Sequence, residues 1–560
     1  MARRVLVTGG RLIDGTGGPA RRGDLLIEDG TIAEVGGTTL APDEVLDATG
    51  YVVAPGFIDV HSHGDFALPV DPRATPKVLQ GVTTEVVGNC GLGLQPANDK
   101  VDAMYARILP IIFGESGGAD AACSPTLAHY RARLAACRIA VNAAPLIPHG
   151  NVRCAVMGMA EREPTETEVG AMRELVAQGM DEGAFGMSTG LVYPPGAYAQ
   201  TEELVRLAEA VAPRRGMYAT HMRNEGPKLV ESVAEAIEIG ERAGVAVQIS
   251  HHKAVGQLNW GKVKTTLAMV DAAAARGMDI HSDVYPYTAG STVLSSMFVP
   301  LWAFEGSLDR LEERLKDPPT RARIVRDVED LQLSFFDLPS WLGFLPKRWL
   351  LRPMSYVLGR TIVISSVKRQ VRYEGMTVRA IARERGRSIH EAMLDLLVEE
   401  DFAVTSIAHV MSEKDVRAVL AHPRTMVGTD GMPTSTGKPH PRSYGTYPRV
   451  LQHYVGEVGL LTLEQAVHRM TGMVARKLGL GDRGVLAPGA AADLVIFDPA
   501  RVRDHATYAD PRRSPDGIAH VFVNGAWTVR DGAQTDARGG SVLAKSATVA
   551  ASSPDTARAP

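Results

Sequence analysis

Through the middle of the chain, short apolar runs that end in polar residues alternate with longer stretches rich in Ala, Glu and Arg. The apolar runs lie at 56–60, 82–87, 184–187, 217–220, 246–250 and 425–429, and the helical stretches lie at 165–181, 201–213, 228–243 and 262–276. Strands that alternate with helices predict a parallel sheet with crossover connections. About nine strand candidates compete for the eight places of a closed (β/α)8 barrel, and 279–285 and 403–409 are rivals for one place.

Both ends of the chain have a different pattern, in which short β-rich pieces are separated by turn residues. These pieces lie at 5–8, 24–27, 31–35 and 51–53, and again at 493–497 and 520–523, where the hairpin signal Asn524-Gly525 follows. We therefore predict one small β-domain assembled from both termini, residues 1–57 and 481–535, with the barrel at 58–480.

Residues 296–372 interrupt the alternation with a stretch that is rich in aromatic residues and proline. Two interpretations of this insertion are open: a lid or binding loop over a site, or an accessory subdomain with its own small core. Its basic and aromatic piece at 341–353 also suggests contact with a membrane surface or a partner. The last residues, 541–560, are rich in Ala, Ser and Pro and predict a disordered tail.

Composition and charge narrow the possible function classes. The 560 residues include 60 Lys and Arg against 64 Asp and Glu, so the total shows no basic excess of the kind that attracts nucleic acid. Four cysteines are too few for a disulfide framework in so long a chain. Neither a signal segment nor an apolar run of about 18 residues is visible, so we expect no spanning helix and a cytoplasmic location. The sequence leaves the oligomeric state open.

The sharpest chemical signal is the segment APGFIDVHSHGD at 54–65, where His61 and His63 are two residues apart at the end of an apolar run. Side chains at positions i and i+2 of a strand point to the same face, so both imidazoles can meet one metal ion. The spacing alone also occurs among ordinary surface histidines. Its place at the carboxyl end of a strand, where barrel enzymes build their active sites, favours a metal site.

Four further residues follow predicted strands in the same way. His221 ends GMYATH, His251 ends AVQISH and Asp430 ends TMVGTD, so each brings a metal-binding or acid–base group to a strand end. Cys90 lies in VVGNCG after another strand, and a thiolate is a good zinc ligand, although a small buried side chain or a nucleophile are alternatives. We expect these four side chains and the two histidines of the first strand to converge at one mouth of the barrel.

The pairing of GFIDVHSHGD with a late GVLAPGAAADLVIFDP resembles the amidohydrolase superfamily, in which a (β/α)8 barrel carries a small β-sandwich built from both chain ends. Within it, GNCG, ATHMRNEG, ISHHKAVG, DVYPYTAGST and HPRSYGTYPRVL resemble the N-acyl-D-amino-acid deacylases, or D-aminoacylases. The resemblance covers most of the chain, and its motifs occur in the family's order. It implies a metal-dependent α/β hydrolase barrel with a terminal β-sandwich. The lid-like insertion at 296–372 looks long for this family and is where the sequence departs from it.

The resemblance also implies a site that holds one or two zinc ions. The six candidate ligands would form two metal positions, with His61, His63 and Asp430 in one and Cys90, His221 and His251 in the other, tighter one. Many amidohydrolases use a carboxylated lysine from the fourth strand as a bridging ligand. That strand reads FGMSTG here and has no lysine, which agrees with Cys90 taking this role.

The substrate implied by the resemblance is a small N-acyl-D-amino acid, which is hydrolysed to a carboxylic acid and a free D-amino acid. Arg442 would bind the substrate carboxylate through two parallel hydrogen bonds, with help from Lys253, Tyr285 and Ser291. Zinc would lower the pKa of water toward ~7 and polarise the amide carbonyl. Asp430 would take the proton from water and pass it to the leaving amine.

Three other functions are alternatives to this assignment. The first is a deacylase restricted to N-acyl-D-aspartate or N-acyl-D-glutamate, and the second is an amidohydrolase that opens a cyclic amide such as a hydantoin. The missing lysine and the segment around Arg442 argue against a cyclic amide. The third is a non-catalytic barrel scaffold, against which the presence of all six candidate ligands argues.

Overall fold

Eight parallel strands form a closed barrel in the computed structural model, which describes residues 3–38, 40–107, 123–334, 357–432, 434 and 436–545. In chain order the strands are Phe57–Asp59, Val82–Val87, Asn142–Pro145 with its continuation Ile147–Pro148, Gly186–Gly190, Met217–His221, Ala246–Ile249, Ile280–Val284 and Thr425–Val427. A parallel bridge between Ser62 and Gly431 closes the ring between the first and the last strand. The predicted barrel is thus confirmed.

Helices cover the outside of the barrel, and their apolar stripes face the strands. They are Thr75–Val78, Asp99–Tyr105, Leu127–Cys137, His149–Met157, Glu166–Asp181, Thr201–Val211, Leu229–Ala243, Val263–Ala275, Glu413–Ala421, Arg442–Arg449, the π-helix Val450–Glu457, Leu463–Met470 and Gly472–Leu478. A capping box of Thr165 and Glu168 begins one helix, and Gly244, in the left-handed conformation, ends another. The four predicted helices agree with observed ones to within two residues at each end.

A mixed sheet of nine strands joins the two chain ends. Its members are Arg4–Leu12, Arg21–Glu28, Thr31–Val35, Glu44–Asp47, Val52–Pro55, Leu494–Phe497, Ile518–Val523, Ala526–Arg530 and Ala533–Gln534. Val52–Pro55 pairs antiparallel with Leu494–Phe497, so one β-domain is built from both termini, as expected. Asn524 and Gly525 both have positive φ and form the predicted hairpin turn.

The described residues 290–334 and 357–408 form a separate accessory unit beside the barrel. Its antiparallel sheet contains Gly290–Val293, Ile362–Val367 and Val404–Ala408, and its helices are Ser295–Phe298, Leu308–Lys316, Pro318–Ser334, Val378–Glu384 and Ile389–Glu399. Buried side chains from these elements form a core of their own. The unit fits the accessory-subdomain interpretation and is longer at both ends than the predicted insertion at 296–372.

Of the two segments that competed for one barrel place, 279–285 contains a barrel strand and 403–409 contains a strand of the accessory unit. Ile280–Val284 pairs in parallel between its barrel neighbours, whereas Val404–Ala408 is the central strand of the antiparallel sheet. The proposed surface contact of 341–353 falls outside the described residues.

The predicted disordered tail at 541–560 is wrong for its first five residues. Val542 forms a parallel bridge with Ala143 at the third barrel strand, and Lys545 Nζ donates to the carbonyl of Leu478. Because these contacts hold the segment on the barrel, 541–545 belong to the folded structure, and 546–560 lie outside the described residues. Within the described part of the chain, no helix is both long and apolar enough to cross a membrane.

Candidate active site

The six candidate ligands all lie at the carboxyl ends of barrel strands, where active sites of this architecture form. His61 and His63 follow the first strand, Cys90 the second, His251 the sixth and Asp430 the eighth, while His221 ends the fifth. All are buried except His221, which is half-buried. The structure therefore brings together every metal ligand that the sequence predicted.

The donor atoms of Cys90, His221 and His251, the set predicted for the tighter metal position, lie close together. His251 Nε2 lies 3.0 Å from His221 Nδ1 and 3.6 Å from Cys90 Sγ. The same sulfur is 3.3 Å from His61 Nε2, so the two expected metal positions adjoin. Several ring nitrogens and a sulfur atom that face each other in a buried space can all donate lone pairs to one cation, but cannot all satisfy one another by hydrogen bonds.

In the other predicted set, His61 and His63 both lie close to Asp430. Its Oδ1 lies 3.4 Å from His61 Nε2 and 3.2 Å from His63 Nε2. The donor atoms of His61, Cys90, His251 and Asp430 all lie within 4.8 Å of one another. Sulfur, imidazole nitrogen and carboxylate oxygen are the donors that zinc prefers, and the residues present therefore fit this metal.

The charges of the donors agree with this assignment. Burial alone would raise the pKa of the Cys90 thiol, but the neighbouring imidazoles, that of His61 first, hold the pKa well below its usual range. Burial would likewise raise the pKa of Asp430, whereas Arg442 and nearby histidines keep it well below the ordinary value. Thiolate and carboxylate are the forms that bind a metal.

Three of the candidate ligands have a strained backbone. Cys90, His251 and Asp430 have φ values of 53°, 35° and 46°, in the left-handed region that residues with a side chain seldom adopt. Such conformations persist where the surrounding structure enforces them, and they cluster at functional sites. All three residues lie within three positions of the carboxyl end of a barrel strand, at the common mouth.

The four residues predicted to bind substrate lie beside the candidate metal ligands. Arg442 Nη1 is 2.8 Å from Asp430 Oδ2, and its guanidinium carbon lies 4.6 Å from the centre of the Tyr285 ring. Lys253 Nζ lies 5.8 Å from the centre of the same ring, so two cationic side chains lie near Tyr285. Ser291 accepts a 3.4 Å hydrogen bond from Arg442 through its backbone carbonyl, and the predicted role of its hydroxyl stays a prediction.

Sequence reasoning missed three residues of the site. Glu225 Oε1 lies 2.9 Å from His251 Nδ1, and the hydroxyl of Tyr193 is bonded to Thr292 while its ring contacts His221. Both residues lie in loops, where neither period nor spacing marks them.

The third missed residue is Asp283, whose Oδ1 accepts from the backbone N–H of His251 and lies 3.3 Å from His61 Nδ1. It lies within the strand Ile280–Val284, one residue from its carboxyl end. The search for polar residues at the ends of predicted strands, which identified the candidate ligands, could therefore also have identified Asp283.

Comparisons with known proteins support the same chemistry. The model of the amidohydrolase family matches residues 44–295 and 369–529, and the gap between them lies inside the accessory unit. The D-aminoacylase of Alcaligenes xylosoxydans xylosoxydans is 38% identical over 97% of this chain and 98% of its own. The N-acyl-D-glutamate deacylase of the same organism is 36% identical over 98% of this chain and 97% of its own.

Solved structures agree over nearly the whole chain. The N-acyl-D-glutamate deacylase from Bordetella bronchiseptica, complexed with zinc and a phosphonate mimic of the tetrahedral intermediate, has a TM-score of 0.79 and 36% identity, covering 96% of this chain and 99% of its own. A D-aminoacylase with a binuclear metal centre has a TM-score of 0.80 and 36% identity with the same coverage. A D-hydantoinase, at 15% identity and a TM-score of 0.52, shares the fold alone.

Proposed function

The chain belongs to the amidohydrolase family, in its branch of N-acyl-D-amino-acid deacylases, and from this premise we propose that it hydrolyses N-acyl-D-amino acids to a carboxylic acid and a free D-amino acid. The observation that carries the proposal is the contact between Arg442 and Asp430 at the edge of the ligand cluster. It places a group suited to a substrate carboxylate beside a group suited to proton transfer. Relatives of 36–38% identity over almost the whole chain act on such substrates.

The ligand cluster would hold one or two zinc ions. Cys90, His221 and His251 would bind at one position, and His61, His63 and Asp430 at the other. When bound, zinc supplies Lewis-acid chemistry, because it polarises a carbonyl and makes water a usable nucleophile near neutral pH.

Substrate orientation is assigned to Arg442 and Lys253. The planar guanidinium of Arg442 offers a carboxylate two parallel hydrogen bonds, and its position over the Tyr285 ring, 4.6 Å from the ring centre, stabilises the cation. Lys253, whose Nζ lies 5.8 Å from the centre of the same ring, would add a second positive charge. A free α-carboxylate next to the scissile amide is the substrate feature that these groups recognise.

Proton transfer is assigned to Asp430. Its Oδ1 faces the imidazoles of His61 and His63, and its Oδ2 faces Arg442. The carboxylate thus spans the ligand cluster and the substrate-binding cation. It can take a proton on the cluster side and give it to the amine that leaves from a substrate held by Arg442.

A panel of substrates combined with metal analysis tests this function. We expect zinc in the purified protein and hydrolysis of N-acetyl-D-amino acids, with little activity on the matching L-enantiomers. N-acetyl-D-aspartate and N-acetyl-D-glutamate belong in the same panel, because two relatives are deacylases of N-acyl-D-aspartate and N-acyl-D-glutamate. N-acetyl-D-methionine adds an uncharged side chain to the panel. Activity only on L-substrates or on hydantoins would contradict the proposal.

A further inference from the structure

Glu225 lies behind the two histidines of the tighter metal position. His251 points Nε2 toward Cys90 and His221, and its Nδ1 lies 2.9 Å from Glu225 Oε1. His221 points its Nδ1 toward His251, and its Nε2 lies 3.8 Å from Glu225 Oε2. One carboxylate therefore faces the outer nitrogen of both imidazoles.

Lys253 competes for the same nitrogen of His251. Its Nζ is 2.7 Å from His251 Nδ1 and 2.5 Å from Glu225 Oε1. An ammonium group only donates hydrogen bonds, whereas an ionised carboxylate only accepts them. The two neighbours therefore demand opposite tautomers of the His251 ring.

The choice of tautomer decides whether His251 can bind a metal. If Lys253 donates to Nδ1, the neutral ring carries its proton on Nε2, the atom that faces Cys90, and has no lone pair there. If Nδ1–H donates to Glu225, Nε2 presents a lone pair toward the ligand cluster.

The local backbone holds Glu225 in place. Asn224 Oδ1 accepts from the N–H groups of Gly226 and Lys228, and the carbonyl of Glu225 accepts from Val255 at 2.7 Å. The loop after the fifth strand is thus tied both to itself and to the loop after the sixth. The Glu225 side chain lies between these loops with 11% of its surface exposed, within reach of His221, His251 and Lys253.

We propose that Glu225 is a positioning residue. It accepts a hydrogen bond from Nδ1–H of His251 and binds the Lys253 ammonium, so that the lone pair of His251 Nε2 stays available to zinc. This inference rests on the proposed function, because it assumes that the cluster binds zinc. It assigns to Glu225 no contact with substrate or metal. Carboxylates of this kind typically change metal affinity by about 10–100-fold.

Zinc affinity, measured by competition with a chromogenic chelator, tests the proposal without any substrate. Glu225→Ala should bind zinc about 10–100-fold more weakly than the wild type. Glu225→Gln is the matched control, because its amide oxygen can still accept from Nδ1 in the same shape, and it should keep most of the affinity. Adding Lys253→Met to Glu225→Ala removes the competing donor and should restore most of the loss.

The tautomer itself supplies a second measurement. In the metal-free protein, 15N chemical shifts of the His251 ring should place the proton on Nδ1 in the wild type and on Nε2 in Glu225→Ala. Circular dichroism and thermal unfolding of each variant check that it folds.

Wild-type zinc affinity in Glu225→Ala would overturn the inference. So would a double variant that binds as weakly as Glu225→Ala, since Glu225 would then act as a ligand itself. If the affinities follow the expected order but no N-acyl-D-amino acid is hydrolysed, the proposed function fails and the role of Glu225 stands.

Discussion

Arg442 and Asp430 form a buried ion pair, in which Nη1 lies 2.8 Å from Oδ2 and both side chains are at most 10% exposed. Arg442 begins the helix that follows the last barrel strand, and Asp430 lies just beyond that strand. The pair links the residue proposed to hold the substrate carboxylate to the residue proposed to move the proton. A substrate carboxylate must therefore share the guanidinium with Asp430, which makes the geometry of Arg442 decisive.

Arg442→Lys should raise KM by about 10–100-fold for N-acetyl-D-amino acids. Lysine keeps the charge but loses the planar fork and the stacking on Tyr285, and a hydrogen bond to a charged group contributes about 1.5–3 kcal/mol. Steady-state kinetics measure the effect. Arg449→Lys is the control, because Arg449 lies on the same helix and stacks on Tyr287. Equal KM values for the wild type and Arg442→Lys would contradict the assignment.

Asp430→Ala should abolish turnover while the fold is kept, since a positioned acid–base group contributes about 10²–10⁴-fold and this one is also a proposed ligand. Asp430→Asn is the better-matched variant. Asparagine tolerates the positive φ of 46° at this position, so its loss of activity cannot be ascribed to backbone strain. Rates on N-acetyl-D-amino acids and thermal unfolding are the measurements. Hydrolysis by either variant at the wild-type rate would refute the proposed mechanism.

Much of the fold could be predicted because period and turn chemistry are local properties. The helix Glu166–Asp181 follows from its 3.6-residue apolar stripe and its capping box. The rivalry between Ile280–Val284 and Val404–Ala408 could not be settled in this way. Both are five-residue strands that mix apolar and polar residues, and only pairing with distant partners puts one in the barrel and the other in an antiparallel sheet.

The same limit applies to the site. His221 and His251 could be found because a polar residue at a strand end is visible in the sequence. Glu225 could not, because its partners are set by how two loops pack and Lys253 lies 28 residues further along the chain. The tail residues 541–545 were missed for a related reason: so short a segment shows no periodic pattern, and backbone hydrogen bonds to the barrel hold it.

Cys90→Ser should weaken zinc binding at the tighter position, because a serine hydroxyl is a far poorer ligand than a thiolate. We expect a lower zinc content and a lower affinity in chelator competition. Cys154→Ser is the control, since Cys154 is also buried but bonds only weakly to the carbonyl of Lys100. Unchanged zinc affinity in Cys90→Ser would remove Cys90 from the ligand set.

Lys77→Met should destabilise the protein by about 3–5 kcal/mol, as expected when one partner of a buried ion pair is removed. Lys77 Nζ lies 2.5 Å from Asp59 and 3.4 Å from Glu85, and all three side chains are almost fully buried. Urea unfolding measures the change. Arg173→Met, which breaks an exposed pair with Glu209, should cost less than about 1 kcal/mol. Similar costs for the two variants would contradict the argument.

Lys477 gives a pH-dependent prediction far from the ligand cluster. Burial lowers its pKa to about 8, although Asp279 opposes the shift, and its Nζ donates to the carbonyls of Val247 and Asp279. Below pH 8 this lysine is charged in both the folded and the unfolded chain, so the cost of burying the charge is constant. Between pH 8 and its ordinary pKa of 10.5, the folded protein releases the proton while the unfolded chain still holds it. Stability must then rise with pH.

The comparison with Lys477→Met isolates this effect from other titrating groups. The free energy of unfolding of the wild type minus that of Lys477→Met should increase between pH 8 and 10.5, by on the order of 3 kcal/mol. Urea unfolding of both proteins at several pH values in this window measures the difference. A difference that stays flat would mean that Asp279 stabilises the charge about as much as burial destabilises it, so that the pKa of Lys477 is the same in the folded and the unfolded chain. A difference that falls would mean that the folded state raises the pKa of Lys477 above 10.5.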